Sequence, residues 1–376
     1  MSDKSFSIEN ENLRIHGTSL DDMLQIFDGE IPLQKAQIEC TLGCNLNCLH
    51  CSVSAGQVRK DELSFGDILR FIDEFYAEGG LYIVISGGEP FSRSDTIDII
   101  EYATDYGLST VLLTNGTLLN EEMIERLSQL KIYEMQFSVD GLRETHDRFR
   151  NTAGCFDKTL KSIRIASEKF KNTRILVKST VSKFNVHEIK DVARLAIDTG
   201  ADMYAIQSLM PCGRAWQLSE HYPSPGEILE VVRSLIGLFE ENPRYSIGTQ
   251  VKPVFLPVEV PSFFPYLGSC LSPTLVGMDS RGDIAPCSVM TDTFLRAGNI
   301  KRKGLRELWR NSGLCDKVME ILKREKKGIC KKCYFKDTCS GVCKKLAIDM
   351  GDIDLPSPLC QQLYDSGLFP EKYLLT

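Results

Sequence analysis

The sequence predicts an α/β fold built around a parallel sheet, on three observations. Six short apolar runs rich in β-branched residues recur between residues 36 and 210. Amphipathic stretches with helical spacing separate these runs, and glycines end several of the predicted helices just before the next run. Because parallel strands need crossover connections, which are helices here, we expect a sheet that is closed or part-closed as a barrel.

The predicted elements follow one another in a regular order. The first helix begins after Ser64, which is spaced with Asp67 as a capping box. A helix of the same kind precedes the sixth strand, with Asn185 as its cap and Gly200 as its end. The six predicted strands are Ala36–Cys40, Leu81–Ile85, Thr110–Leu113, Tyr133–Val139, Ile175–Val181 and Met203–Ser208. Catalytic residues of β/α barrels lie after the strands, so we expect the chemistry in those loops.

Regular periodicity ends after a predicted helix near Pro225–Leu238. Five prolines lie between positions 243 and 265, and proline disrupts both helices and central strands. We therefore interpret residues 241–269 as a proline-rich linker. It separates a barrel domain, residues 36–240, from a loop-rich domain, residues 270–376, and residues 1–35 form an N-terminal segment.

Composition narrows the class of protein. The chain has 376 residues, 43% of them apolar and 25% charged, which is typical of a globular protein. The net charge of −7 disfavours nucleic acid as a partner. No apolar run approaches the roughly 18 residues of a membrane span, and the N-terminus lacks the apolar stretch of a signal peptide. We expect a cytoplasmic protein without a membrane partner, whose 14 cysteines serve catalysis or metal binding rather than disulfides.

Three cysteines stand close together after the first predicted strand. Cys44, Cys48 and Cys51 lie in the string CNLNCLHC. Three thiolates can bind one metal centre and leave a coordination position open, which catalysis requires. A zinc knuckle or buried thiols are the alternatives, but zinc sites usually begin C-x2-C, so the C-x3-C-x2-C spacing and the loop position favour an iron–sulfur cluster.

The second predicted strand ends in the string SGGEP, residues 86–90. Gly87 and Gly88 let the backbone approach a ligand closely, and Glu89 offers a carboxylate for an ammonium group. Together with the cysteine motif, in which His50 precedes the last cysteine, this turn resembles the signatures of the radical S-adenosylmethionine (SAM) superfamily.

The resemblance implies a [4Fe-4S] cluster whose open iron is chelated by SAM. One electron, from a donor such as flavodoxin or ferredoxin, cleaves SAM to a 5′-deoxyadenosyl radical that abstracts hydrogen from the substrate. Gly88 and Glu89 would hold the methionine amino group, and Ser138 and Asp140 would help to bind SAM, unless they only form a turn before a glycine. Weaker candidates are Thr114, Asn115, His146 and Arg150.

The C-terminal part holds a second cysteine pattern. Its members are Cys270, Cys287, Cys330, Cys333, Cys339, Cys343 and Cys360. The run C-x2-C-x5-C-x3-C alone could bind zinc. The whole spacing, with Gly282, resembles the SPASM extension of radical SAM proteins. The predicted fold is then a partial (β/α)6 TIM-type barrel with a C-terminal, loop-rich iron–sulfur domain.

The resemblance implies two auxiliary iron–sulfur clusters of the [4Fe-4S] type in a crossed pattern. Cys270, Cys287 and Cys343 would bind the nearer one, and the other four cysteines would bind the farther one. The nearer cluster lacks an obvious fourth ligand. Either one iron is open to substrate, or Cys212, Cys315 or a carboxylate such as Asp283 completes the set; Cys40 and Cys155 read as buried thiols.

SPASM-bearing relatives mostly modify peptides, so the leading hypothesis is a maturase that crosslinks or oxidises a ribosomal peptide. Leader recognition would then need a separate leader-binding protein or be absent, since only 35 residues precede the first predicted strand. Haem or quinone-cofactor synthesis is the enzymatic alternative, and a non-catalytic iron–sulfur or zinc module would not need SGGEP. Sulfatase-maturing members usually carry Asp after the second SPASM cysteine, where this chain has Ser288. The bond formed, the catalytic acid or base and the oligomeric state stay open.

Overall fold

The computed structural model describes residues 31–242, 245–256, 263–265, 271–337, 339 and 341–375. Cys270 and nearly all of the predicted N-terminal segment lie outside this part of the chain. The described strands form one eleven-stranded sheet in the order β11-β10-β9-β1-β2-β3-β4-β5-β6-β7-β8. No helix in the described ranges is long and apolar enough to cross a membrane.

The first six strands confirm the predicted parallel β/α arrangement. They run parallel in chain order and are β1 Lys35–Thr41, β2 Tyr82–Gly87, β3 Ser109–Thr114, β4 Ile132–Ser138, β5 Arg174–Val181 and β6 Met203–Ser208. The connecting helices are α1 Phe65–Ala77, α2 Thr96–Asp105, α3 Glu121–Ser128, α4 Arg143–Arg150, α5 Cys155–Lys169, α6 Ile189–Asp198 and α7 Pro225–Glu240. Their apolar faces pack on the outer face of the sheet, which leaves the loops after the strands free to form a site.

Helix capping explains the start of α1 but not that of α6. At α1 the predicted capping box is present, because the Ser64 side chain accepts from Asp67 N and the Asp67 side chain accepts from Ser64 N. The predicted cap at Asn185 is wrong, since α6 begins at Ile189 with Glu188 as its cap. The Asn185 amide instead donates to the carbonyl oxygens of Asp140 and Thr180 beneath the loop after β4.

Residues 241–269, interpreted from the sequence as a linker, contain regular secondary structure in their described part. Two short strands, β7 Ser246–Thr249 and β8 Phe263–Pro265, continue the parallel sheet beyond β6. Among the described prolines of the segment, Pro253 begins a 3₁₀ turn, and Pro265 ends the edge strand β8, where a missing N–H is tolerated. These prolines therefore lie where they do not interrupt the ladder.

The C-terminal domain joins the barrel through the same sheet. Strand β9, Leu275–Met278, runs parallel to β1, and β10, Asp283–Ala285, and β11, Gly298–Asn299, follow antiparallel. A Cβ at Gly277 would lie 2.0 Å from Ser288 N, so this glycine admits the Cys287–Ser288 turn against the inner face of the sheet. The remaining helices are α8 Leu314–Lys323, α9 Lys344–Asp349 and α10 Pro358–Asp365, and the rest is loop-rich, as predicted.

Strand alternation gives the sheet an apolar outer face and a polar inner one. Ile38, Ile85 and Val177 belong to the core beneath the helices. Glu39 follows Ile38 on β1 and Lys178 follows Val177 on β5, so these two side chains point to the inner face. The inner face of the partial barrel is thus equipped to contact polar groups.

Candidate active site and cysteine clusters

The cysteine loop, residues 42–56, follows β1 and carries Cys44, Cys48 and Cys51. Its ends are tied together, because Cys44 N donates to Gly56 O over 2.7 Å and Gly56 N donates to Leu42 O over 3.0 Å. Backbone N–H groups also point at two of the sulfurs, from Leu46 to Cys44 Sγ at 3.4 Å and from Ala55 to Cys51 Sγ at 3.3 Å. Such donors stabilise a cluster-bound thiolate.

The three thiols are shielded from water. Cys48 is 8% exposed and packs with Leu46 and Cys155, and Cys44 and Cys51 pack against the same group. Burial raises the pKa of Cys44 to about 11, and the nearby Cys48 and Cys51 add to the rise. Burial likewise raises the pKa of Cys48, so the free thiols of Cys44 and Cys48 are neutral and metal binding must displace their protons.

The donor set fits an iron–sulfur cluster. Three thiols converge in one small group with Leu46 and Cys155, and amide donors are aimed at two of the sulfurs. No three His, Cys, Asp or Glu side chains in the described part of the chain lie close enough together to hold a single metal ion. In a cluster each thiolate binds a different iron, so its ligands do not need to meet at one point.

The SGGEP turn packs directly against the cysteine loop. Gly88 N donates to Thr41 O over 2.8 Å and Glu89 N donates to Gly43 O over 2.9 Å. A Cβ at Gly88 would lie 2.3 Å from Gly43 O, and one at Gly87, whose φ is +135°, would lie 2.2 Å from Thr41 O. The close approach that these glycines permit is therefore to the backbone that carries the cysteines.

Glu89 lies beneath the barrel mouth instead of facing it. Its carboxylate is fully buried and accepts from Thr114 Oγ1 at 2.8 Å, Phe91 N at 3.2 Å and Asn115 N at 2.7 Å. Burial raises its pKa to about 7, against the effect of these hydrogen bonds. The side chain thus holds the loop after β3, and the Asn115 amide in turn lies 4.0 Å from Cys44 Sγ.

Asp140 is buried as well and forms a charged network behind the cysteines. Its Oδ2 lies 2.5 Å from Arg150 Nη2 and 3.3 Å from His50 Nε2, and its Oδ1 accepts from Thr180 N. Arg150 Nη1 also lies 3.8 Å from Cys48 Sγ. Burial opposes ionisation of Asp140, but Arg150 and His50 hold its pKa below the ordinary value. Asp140 therefore positions a guanidinium beside a cysteine ligand.

Sequence reasoning underrated Arg150 and His146 and missed the role of Arg214. His146 and Arg150 are four residues apart on α4, and His146 Nδ1 accepts from Asp140 N. Arg214 follows β6 and donates from Nε to Cys48 O and from Nη1 to Ala55 O. Ser138 ends β4, half-buried and in register with Lys178. The one sequence signal for Arg150 was its spacing of four residues from His146 on a helix. No sequence pattern pointed to Arg214.

Four cysteines of the C-terminal domain line one cavity, called here the four-cysteine cavity. They are Cys330, Cys333, Cys339 and Cys360, the set that the resemblance assigns to the farther cluster. The other lining residues include Val254, Ile329, Phe369 and Lys252. Burial raises the pKa of Cys360 to about 12. This set of four thiols in an apolar cavity fits a fully ligated cluster.

Cys343 does not line this cavity. It is the residue before α9, and its thiol shares a hydrogen bond with that of Cys212, which also interacts electrostatically with Cys287. The structure therefore brings together a second group from the loops after β6 and β10 and the start of α9. Cys212, Cys287 and Cys343 are called here the three-cysteine site.

Comparison with known proteins agrees with this geometry. The profile of the Radical SAM superfamily matches residues 38–196, and that of SPASM, an iron–sulfur cluster-binding domain, matches residues 273–334. The AdoMet-dependent heme synthase of Methanosarcina barkeri is 32% identical over 86% of this chain and 94% of its own. Mycofactocin maturase MftC of Mycobacterium tuberculosis is 29% identical over 89% of this chain and 85% of its own.

A solved structure shares the fold. Streptococcus suis SuiB bound to its precursor peptide SuiA superimposes with a TM-score of 0.74 over 90% of this chain and 78% of SuiB, at 18% identity. The cysteine loop, the SGGEP turn and the matched profiles coincide in one place. The chain therefore belongs to the radical SAM superfamily, as an enzyme with a SPASM domain whose cofactors are iron–sulfur clusters and S-adenosylmethionine.

Proposed function

We propose that the enzyme uses radical SAM chemistry on a carboxylate-bearing tetrapyrrole, as a step of haem synthesis. The observation that carries this proposal is the similarity along nearly the whole chain to AdoMet-dependent heme synthases, three of which are 26–32% identical over 86–94% of this chain. This reverses the order of the two enzymatic hypotheses drawn from the sequence, where peptide maturation came first.

The bound cluster and SAM supply a carbon-centred radical that removes a hydrogen atom from an unactivated carbon of the substrate. The chain's own residues hold and orient these partners. Cys44, Cys48 and Cys51 hold the cluster, and the SGGEP turn fixes the cysteine loop from the side of β2. Gly87, Gly88, Glu89, Ser138 and Asp140 remain the predicted SAM-binding residues, and the buried Glu89 and Asp140 would act through the groups that they position.

The inner face of the barrel offers a cation for a substrate carboxylate. Lys178 on β5 lies near Leu176 and in register with Ala205 and Ser138. Burial lowers its pKa to about 8, although Glu134 opposes the change. An incompletely solvated ammonium gains from a carboxylate partner, and tetrapyrroles carry carboxylate side chains. Lys178 is therefore the residue that we expect to bind one of them.

Peptide maturation is the second candidate, favoured by the similarity to mycofactocin maturase MftC over 89% of this chain. The SuiB–SuiA complex shows that a chain of this fold can hold a precursor peptide. A separate leader-binding protein and an electron donor such as flavodoxin or ferredoxin would then be partners, in a cytoplasmic setting. Formylglycine formation, the reaction of the sulfatase-maturing members, stays less favoured. Ser288 occupies the position at which those members usually carry an aspartate.

The test is an anaerobic assay of the reconstituted enzyme with SAM and a chemical reductant. Iron coproporphyrin III and a panel of short cysteine-containing peptides are supplied in parallel, and 5′-deoxyadenosine and product masses are measured. We expect a mass change of the porphyrin, stoichiometric with 5′-deoxyadenosine. Modification of a peptide with the porphyrin unchanged would replace this proposal by the second candidate.

A matched pair of variants locates the substrate contact. Lys178→Met should weaken porphyrin turnover at least about tenfold, while SAM cleavage without substrate stays at the wild-type rate. Lys183→Met removes a lysine two residues beyond β5 and should leave both unchanged. Equal turnover in the wild type and Lys178→Met would remove Lys178 from the proposal.

A further inference from the structure

The three-cysteine site contains one thiol that the SPASM pattern does not assign. Cys212 lies in the loop after β6 and is 3% exposed. Its thiol shares a hydrogen bond with Cys343, and it lies near enough to Cys287 for the two thiols to interact electrostatically. Cys287 and Cys343 are the cysteines that the resemblance gives to the nearer auxiliary cluster. A third thiol therefore stands beside these two.

A buried hydroxyl supports a missing group at this site. Tyr222 lies close to both Cys212 and Cys343 and interacts with their thiols electrostatically. Its OH is inaccessible to water and has no hydrogen-bond partner within the described ranges. A phenol is a good donor to cluster sulfur, and a buried donor without a partner is costly. A cluster held by these thiols would give it an acceptor.

The two other candidate ligands lie in different surroundings. Asp283 Oδ1 accepts from Arg296 Nη2 at 2.7 Å and from Asn299 Nδ2 at 2.8 Å, so its carboxylate is already used within the β10–β11 hairpin. Cys315 lies on α8, where the charges that act on it are those of Asp316 and Arg310. Neither side chain is part of the three-cysteine site.

We propose that Cys212 is a ligand of the nearer auxiliary cluster, together with Cys287 and Cys343. The resemblance assigns Cys270 to the same cluster, so Cys212 is the thiolate that would close its fourth position. A cluster closed in this way would have no iron open to a substrate thiolate, and its role would be to accept or donate electrons while other groups hold the substrate.

This ligand connects the two cluster sites through the backbone. The next residue, Gly213, has φ +58°, and a Cβ there would lie 2.5 Å from the carbonyl oxygens of Cys51 and Ser52. Arg214 N then donates to Cys51 O over 3.0 Å. A glycine is therefore needed between Cys212 and Arg214. The path from Cys212 to the cysteine loop consists of two peptide units and one hydrogen bond.

The test isolates the auxiliary clusters. In a background with Cys44, Cys48 and Cys51 all changed to Ala, Cys212→Ala is added and the protein is reconstituted anaerobically. Iron and sulfide content, EPR and Mössbauer spectra are measured. We expect loss of up to about four iron atoms per chain or conversion of one cluster signal to a three-iron type. Iron content and spectra identical to the background protein would overturn the proposal.

Two controls separate ligation from folding. Cys287→Ala should produce the same spectral loss, and Cys315→Ala, a half-buried thiol outside the site, should produce none. The farther cluster serves as an internal measure of folding, since its signal must persist in Cys212→Ala. If that signal is lost too, Cys212→Ser, which keeps the size of the side chain, is used to separate ligation from folding. If the nearer cluster of Cys212→Ser gives the same EPR signal as that of the background protein, the result counts against ligation.

Discussion

In the barrel, the thiols of the cysteine loop lie among charged side chains, whereas in the C-terminal domain four thiols line an apolar cavity. Arg150, Asp140 and Arg214 contact the cysteine loop or its ligands, and each comes from a different strand end or helix. Around the four-cysteine cavity the neighbours are mostly apolar, with Lys252 and Lys336 among them. One site has three thiols and the other has four.

The difference concerns what holds each site in shape. The cysteine loop is fixed by hydrogen bonds and ion pairs from β2, β4, β6 and α4, so its shape depends little on a bound cluster. In the four-cysteine cavity Cys360 lies on α10 but the other three cysteines lie in short turns or loops, so we expect its ligands to be brought together largely by the cluster itself. A preformed open site suits catalysis, and a closed site suits electron transfer.

The largest contrast is expected between single ligand substitutions. Cys48→Ala removes a ligand from the three-thiol site, so 5′-deoxyadenosine formation should fall to background. Cys330→Ala removes a ligand of the four-cysteine cavity, and SAM cleavage without substrate should persist. Both are measured by anaerobic single-turnover assays with dithionite. Loss of SAM cleavage in both variants would show that the two sites do not differ in this way.

The charged network should be the most costly part of the barrel site to disturb. Arg150→Met leaves the carboxylate of Asp140 buried without its main partner, and breaking such a pair costs about 3–5 kcal/mol. Adding Asp140→Asn to Arg150→Met should recover much of the lost free energy of unfolding, because the buried carboxylate charge is then removed as well. Urea unfolding of the wild type, both single variants and the double variant gives the coupling energy. A coupling near zero would mean that the pair does not support the cysteine loop.

A pH-dependent effect is expected where the two regions meet. Glu39 lies on the inner face of β1, and its carboxylate is close enough to Asp279 and Arg281 of the C-terminal domain to interact with them electrostatically. Burial raises the pKa of Glu39 from 4.5 to about 7. The folded state holds this proton more tightly than the unfolded one, so its stabilising effect is complete below about pH 4.5 and is lost as the pH rises through 7.

Glu39→Gln therefore should gain stability over the wild type as the pH rises. The expected gain between about pH 5 and about pH 8 is at most about 3 kcal/mol, at 1.36 kcal/mol per pKa unit. Urea unfolding at both pH values measures it. An equal difference between the wild type and Glu39→Gln at both pH values would contradict the raised pKa.

Much of the barrel could be predicted from the sequence because its signals are local. The ends of the six predicted strands lie within two residues of β1–β6, since buried β-branched runs bounded by glycine have few other solutions. Strands β7 and β8 have four and three residues among prolines, too short for a periodic signal. Arg150 and Arg214 act on Cys48 across 102 and 166 residues of sequence, and no local pattern encodes such a contact.

Cluster removal should affect the two sites unequally. Oxidative removal of the iron under chelation should leave the hydrogen bonds of the cysteine loop in place, whereas the turn Gly328–Lys332 would lose the group that Cys330 binds. Hydrogen exchange followed by mass spectrometry should show at least about tenfold faster exchange around residues 328–337, and a smaller change at residues 42–56. Equal acceleration in both segments would mean that the cysteine loop also depends on its cluster.

The smallest expected effect concerns the charges beside the four-cysteine cavity. Lys252 lines it and acts electrostatically on Cys330 and Cys360. A nearby cation favours the more negative, reduced form of the cluster, so Lys252→Met should lower the reduction potential. A partly exposed ion pair is worth about 0.2–1 kcal/mol, which corresponds to roughly 10–40 mV for one electron.

The reduction potential is measured by an EPR-monitored redox titration of the variant without Cys44, Cys48 and Cys51. The matched control is Lys331→Met, which removes an exposed lysine paired with Glu325. An equal shift in both variants would assign the effect to overall charge instead of to the residues that line the cavity.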